Sequence, residues 1–308
     1  KPVQTVFDGW KQKAEAQFKA FFAAYPKSKH APDNMARVGT IYLESRQFAK
    51  AAQILNELST KFPDSKAGKE ALFNLGRAQC EIGEYTDAEV AFEKLLKSAS
   101  DMLTPNLSFV SERMIRAARP KVSLTASREL LRRSEDSSHE DYETLRERSR
   151  EPALYRAGEA CLGMEKYDEA LTSFDRLLEE NETSGYFSEA KFRTSDCRRK
   201  ATPPDLDAAM HDLLEILQYA DKQVVTNRAL CAVGRILGEK GTQKDLQLAT
   251  ARFQQVVMLA DPEVEENKPW IEEAVYESAR AFARLGQNDE RDKMVRQDRE
   301  MFPAGRFR

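Results

Sequence analysis

"IGEYTDAEVAFEKLL" (82–96) returns 82 residues downstream as "MEKYDEALTSFDRLL" (164–178). Tyr85 answers to Tyr167, Ala88 to Ala170, Phe92 to Phe174, and Leu95 and Leu96 to Leu177 and Leu178, while the positions between drift among polar residues. What is repeated is the apolar spacing of one face of an amphipathic helix. A helix with one apolar stripe must bury it against a neighbour, so the repetition predicts helices stacked on copies of themselves.

Working outward, Gly39 maps to Gly76, Phe48 to Tyr85, Ala51 to Ala88, Leu55 to Phe92 and Pro26 to Pro63, all at an offset of 37 residues. Each unit carries a small residue midway along a first helix (A), a turn, and a second helix (B) with an Ala, a large apolar residue four further on and another three beyond. A small side chain on helix A lets the two helices approach closely, and the bulky residue of helix B fills the remaining space. Looser copies follow at Ala190, Ser195, Ala209 and Leu213, then at Ala229, Gly234, Ala249 and Phe253, then at Ala274, Ala279 and Phe282. Insertions at "KATPPD" and "EKGTQKD" delay the B helices of the first two.

Composition agrees with an all-α chain. Charged residues make up 32% of 308, with only 13 Gly and 12 Pro, and Ala, Leu, Glu, Lys and Arg dominate. That length exceeds the size at which one globular core keeps growing, a limit that an extended repeat avoids. The formal charge of -3 gives no global basic field for nucleic acid. The Arg-rich stretch from Arg113 to Arg150 is interleaved with Glu and Asp, so a solvated ion-pair face accounts for it. No uncharged apolar run reaches the roughly 20 residues that span a bilayer.

The residues of this pattern resemble the tetratricopeptide (TPR) repeat, with Val38-Gly39, Leu75-Gly76 and Ala157-Gly158 on helix A, then Ala51, Ala88 and Ala170, then Leu55, Phe92 and Phe174 on helix B. The resemblance covers nearly the whole chain, closely over 31–98 and 153–180 and loosely over 99–150. It implies an all-α α-solenoid of stacked hairpins wound as a right-handed superhelix. The expected divisions are N-terminal repeats over 1–98 that begin with a half repeat, a degenerate repeat plus charged insertion over 99–150, and C-terminal repeats over 151–308. Residues 135–150 are expected to form a linker or an exposed extra helix.

The connections "YPKSKHA" (25–31) and "FPDSKAG" (62–68) are similar to those of periplasmic TPR proteins of the bacterial envelope, the Tol-Pal-associated coordinator and the outer-membrane assembly lipoprotein among them. Pro stops one helix and Ser caps the next. This likeness implies an envelope location and a role in assembling other proteins, with a cytoplasmic location as the alternative. Four scattered cysteines, Cys80, Cys161, Cys197 and Cys231, sit more comfortably in a reducing compartment. They read as small buried apolar side chains, with a disulfide framework as the other reading. The chain opens at Lys1 and is read as a trimmed piece whose targeting segment is lost.

In such a solenoid the A helices line the concave face. Positions three before and one after the small residue give Ala36, Phe73, Tyr155, Phe192, Cys231 and Tyr276, and Thr40, Arg77, Glu159, Asp196, Arg235 and Arg280. Rings alternating with charge suit an extended or helical peptide, so Phe73, Arg77, Tyr155, Glu159, Phe192, Asp196, Arg235, Tyr276 and Arg280 are the candidate binding residues for a protein or peptide partner. The competing reading packs the rings between helices and engages the arginines in internal ion pairs.

Catalytic signals are thin. His30, His139 and His211 lie in separate units, and no phosphate-binding, dinucleotide-binding or nucleophile-elbow motif occurs. The expectation is a non-catalytic scaffold that uses no cofactor, metal, nucleic acid or small-molecule substrate, and that meets a membrane only through a missing segment or a partner. The alternative is a regulatory or substrate-recruiting region of a larger enzyme or secretion component. Trp10, Phe18 and Phe22 raise a third possibility, self-association through an exposed terminal repeat.

Overall fold

The computed structural model describes residues 9, 13, 15–18, 20–21, 24–25 and 28–305. Trp10, Phe22 and Pro26, on which two of the expectations rest, lie outside the described residues. Among the described residues every regular element is helical. A first compact unit ends at Met164 and a second begins at Glu165.

The first unit holds α1 (Ala31–Glu44), α2 (Phe48–Lys61), α3 (Lys66–Glu81), α4 (Tyr85–Leu95), α5 (Thr104–Arg116), α6 (Pro120–Glu135) and α7 (Arg150–Gly163). The second holds α8 (Tyr167–Glu180), α9 (Phe187–Lys200), α10 (Leu206–Tyr219), α11 (Gln223–Lys240), α12 (Gln243–Leu259), α13 (Lys268–Arg284) and α14 (Asn288–Met301). Odd-numbered helices are the A helices and even-numbered ones the B helices; α1 packs with α2, α3 with α4 and α5 with α6 in the first unit, and α9 with α10, α11 with α12 and α13 with α14 in the second.

The offset pattern acquires its physical meaning here. A Cβ placed on Gly39 would lie 2.5 Å from the Leu55 side chain, one on Gly234 would lie 2.5 Å from the Phe253 ring, and one on Gly76 would overlap the Phe92 ring. Leu55, Phe92 and Phe253 are fully buried, so the small and large residues form one interlock between helices A and B. Seven residues after the small residue the chain turns through the left-handed region, at Arg46 (φ 56°), Gly83 (82°), Ala118 (55°), Glu165 (60°), Gly241 (73°) and Gly286 (73°). The amides of Gln47, Glu84, Arg119 and Gln287 then reach back to the carbonyls of Tyr42, Gln79, Met114 and Phe282 at 2.8–3.0 Å. These are Schellman closures, which terminate helix A and reverse the chain within a few residues.

Ser65 caps α3, its hydroxyl oxygen accepting from the Gly68 amide at 2.9 Å, as the "FPDSKAG" connection requires. Asp205 and Thr242 cap α10 and α12 in the same way, after the two insertions. All four cysteines are free and buried.

The segment 99–150, expected as a degenerate repeat plus a charged insertion, keeps the hairpin and changes its interlock. It belongs to the first compact unit, and α5 and α6 form a complete hairpin whose core is Leu107, Val110, Met114, Val122, Ala126 and Leu130. The interlock is rewritten: Ser111 stands where Gly39, Gly76 and Gly234 stand in other units, and Ser127 where those units have Leu55, Phe92 and Phe253. Their hydroxyls meet at 2.7 Å, and the Ser123 hydroxyl donates to the Ser111 carbonyl at 2.8 Å. Two small polar side chains that satisfy each other replace one glycine and one ring.

Residues 135–150, expected as a linker or an exposed extra helix, hold a short helical stretch with one buried residue. A short helix Tyr142–Thr144 leads into a π-helical turn Leu145–Ser149, and Leu145 is wholly buried in the α5–α6 core. Asp141 accepts from the Thr104 hydroxyl at 2.6 Å, and the Arg150 guanidinium donates to Ser134 at 2.6 Å. Arg133, 2% exposed, pairs with Glu129 at 2.9 Å and donates to the carbonyls of Ala99 (2.8 Å) and Ser100 (3.1 Å). A buried guanidinium with its donors satisfied is tolerable, and here it ties the end of α6 to the turn before α5.

Candidate partner-binding site

On the A helices of the first unit, Phe73 is half-buried, 5.6 Å from Phe109 edge-to-face and 6.4 Å from Phe92. Arg77, one helical turn further along α3, is exposed, with its guanidinium 6.0 Å from the Phe73 ring and 5.9 Å from the Phe109 ring. Arg113 lies 6.0 Å over the other part of Phe109 and pairs with Glu81. Among the described residues, no carboxylate stands within salt-bridge distance of Arg77. The result is a ring platform with a cation lying over it whose hydrogen-bond donors remain turned to solvent.

Phe109 and Arg113 escaped the sequence reading because α5 was taken as degenerate. A signal existed: the spacing of Phe73 and Arg77 recurs at Phe109 and Arg113, one position out of step with Ser111 as the small residue. Tyr155 and Glu159, on α7, are half-buried and engaged with neighbours. On the same unit Glu112 pairs with Arg116 at 2.7 Å and Arg156 at 3.3 Å, fastening α5 to α7.

In the second unit the A helices are braced against one another. Phe192 is 5% exposed and lies beneath Arg228, whose guanidinium is 3.8 Å from the ring centroid. Its expected role as an open contact is therefore corrected: it packs α9 against α11. Arg228 also holds Glu189 through two hydrogen bonds, at 2.6 and 3.2 Å. Arg199 bridges to Glu239 at 2.7 Å and to Asp196 at 3.5 Å, and Arg235 pairs with Glu273. Arg280 sits 5.8 Å over Tyr276 and pairs with Glu277 at 2.8 Å. Asp196, Arg235 and Arg280 are thus engaged inside the unit, so the internal ion-pair reading describes them. Cys231, at another of the outward positions, is buried. A cleft of about 370 Å³ remains between α11 and α13, with Gly234, Gly238, Arg235, Arg280 and Arg284 in its walls.

His211, Asp212 and Glu215 bring ligand atoms within 4.8 Å of one another. Lys191 reaches both carboxylates, and Arg198 also binds Asp212. Two protein cations already neutralise the cluster, an arrangement unsuited to a metal ion. His30 and His211 are exposed, whereas His139 is half-buried and accepts from the Asp141 amide at 3.1 Å. Among the described residues no helix is long and apolar enough to cross a membrane.

The comparisons agree with this architecture. A family model described as "Tetratricopeptide repeat" matches residues 37–102. The C-terminal part of a TPR repeat-containing protein from Cytophaga hutchinsonii is similar in fold, with a TM-score of 0.56 at 11% identity over 88% of this chain and 96% of that one. More distant likenesses are PilF of Pseudomonas aeruginosa (TM-score 0.39, 19% identity, 79% of this chain and 97% of that one) and the apo quorum sensor NprR of B. thuringiensis (0.45, 14%, 97% and 84%). No curated protein matches the sequence. Together with the hairpins above, the family match and the Cytophaga likeness define an all-α protein of stacked helices in TPR hairpin packing.

Proposed function

We propose that this protein is a non-catalytic scaffold that holds a segment of another protein on the A-helix face of its first unit. The observation that carries the reading is Arg77, exposed over the rings of Phe73 and Phe109 with no carboxylate at salt-bridge distance among the described residues. A partner carboxylate seated on that guanidinium would gain a charge-assisted hydrogen bond, while the half-buried rings supply apolar contact area. Preformed helices lower the ordering cost on the scaffold side. Engaged arginines across the second unit leave it a stiffer and less receptive A face. A bacterial envelope assembly is the proposed setting, on the likeness of the Tyr-Pro and Phe-Pro-Asp-Ser connections to those of envelope proteins.

Arg77→Glu is the discriminating variant, because the side chain is exposed and its reversal leaves the core intact. Cross-linked capture from the native organism, comparing wild type with Arg77→Glu by quantitative mass spectrometry, should recover a partner that the variant loses at least tenfold, roughly 1.4 kcal/mol. Equal recovery by both, with unchanged helicity, would remove this face as the site.

A further inference from the structure

Helix packing in the second unit brings the N-terminus of α9, the C-terminus of α10, the N-terminus of α11 and the C-terminus of α12 to one edge. Contacts along it are direct. The Phe187 and Tyr219 rings meet edge-to-face at 6.0 Å, and the Gln223 side chain donates to the Leu259 carbonyl at 2.7 Å. Asn267, buried, donates to Gln223 at 3.0 Å and to the Asp261 carbonyl at 3.1 Å, and accepts from the buried Asn227 at 3.0 Å. The buried amides of Asn227 and Asn267 therefore hold the loop 260–267 against the start of α11.

This fixed edge is apolar at its crest. Met258 is 74% exposed and its neighbour in sequence Leu259 almost as open, and Tyr219 and Val264 are also exposed at the ends of their elements. Two adjacent open apolar side chains at a helix end that runs into an acidic loop differ from the singly scattered ones of an ordinary surface. The two loops are acidic: residues 220–222 and 260–267 carry Asp221, Asp261, Glu263, Glu265 and Glu266 against Lys222, and Lys268, which follows, is already held by Glu265 at 2.5 Å. The edge thus presents apolar contacts in a negative field.

We propose that this edge docks a cationic amphipathic segment of a partner protein, its apolar side chains on Tyr219, Met258 and Leu259 and its Lys or Arg residues against the acidic loops. Charge complementarity selects that occupant. A second copy of this chain would bring the same acidic loops together, and an anionic lipid surface would be repelled. Because the loop 260–267 is held by buried amides, binding demands little ordering of the scaffold. The site is independent of Arg77 and of the first unit.

The probe is a labelled Leu/Lys amphipathic peptide of about 18 residues, roughly five helical turns, titrated with the full chain and followed by fluorescence anisotropy. Its control is the same peptide with Glu in place of Lys. Wild-type protein should bind the Leu/Lys peptide and not the Leu/Glu one, and Arg77→Glu should bind it unchanged. Met258→Ser with Leu259→Ser, and separately Asp261→Lys with Glu263→Lys, should each weaken binding about tenfold with helicity preserved, since all four side chains are exposed. High salt, with a Debye length near 3 Å at about 1 M, should weaken it as well. Equal binding of both peptides, or binding untouched by both pairs of substitutions, overturns the proposal. So does a concentration-dependent mass by light scattering that Met258→Ser with Leu259→Ser abolishes, since that result would assign the edge to self-pairing.

Discussion

Gly76→Ala and Gly238→Ala make the same chemical change on two A helices, yet the structure assigns them opposite signs. At Gly76 an added Cβ falls on the Phe92 ring, whereas at Gly238 it meets nothing within 4 Å. Phe92 cannot swing away, because it is fully buried with Phe73 at 6.4 Å and Phe109 at 6.5 Å. Overpacking of a tight core costs about 1–3 kcal/mol, offset by roughly 1 kcal/mol from the helix preference of Ala over Gly. Gly76→Ala should therefore lose up to about 2 kcal/mol, while Gly238→Ala should gain about 0.5–1 kcal/mol. Native-state hydrogen exchange suits this chain of two units, since it reads each helix separately. Amides of α3 and α4 should exchange about tenfold faster in Gly76→Ala. Adding Phe92→Leu removes the Cε1 and Cζ ring carbons that the new methyl meets and should recover about 1 kcal/mol relative to the sum of the single changes. Equal signs for the two alanines, or a cycle additive within about 0.5 kcal/mol, would refute the account of the interlock.

Ala118 turns through φ 55° where only glycine is unstrained, so Ala118→Gly should stabilise the first unit by about 0.5–1 kcal/mol in denaturant unfolding; a loss of stability would contradict the strain assignment. The Glu129 carboxyl is held below its ordinary range, chiefly by the hydrogen bond from Arg132, with Arg133 adding and burial opposing. Its contribution is then present above the unfolded-state value and lost as pH falls through the folded one, so the Tm gap between wild type and Glu129→Gln should close on acidification below about pH 4. A gap independent of pH would remove this linkage. The Cys80 thiol is pushed up to about 11, mainly by burial, with Arg113 opposing and Glu81 adding. Alkylating reagents near pH 8 should therefore label Cys80 only after unfolding, and rapid native labelling in a peptide map would contradict its burial.

The two units show where the chain's periodicity stops informing. Gly39, Gly76 and Gly234 and their large counterparts could be read from spacing, because close approach of helices restricts residue type at a repeated position. The interlock of α5 with α6 could not, because there Ser111 and Ser127 meet through a mutual hydrogen bond that no apolar template anticipates. Leu145 read as part of a charged insertion for a similar reason: one apolar residue among polar neighbours has no period, and only the docking of the chain onto α5 and α6 buries it.

The binding face divides along the same line. Alternation of rings and arginines along the A helices was legible, since it follows from positions relative to the small residue. Which arginines are engaged was not, because Arg228 with Glu189, Arg199 with Glu239 and Arg235 with Glu273 join residues some 40 apart in the chain on neighbouring A helices. Local spacing specifies helices, turns and the faces they bury, all set by contacts within a few residues. Exposure of Arg77, burial of Phe192 and the acidic edge beside Met258 depend on how successive hairpins register on each other, and that register is a property of packed surfaces far apart in the chain.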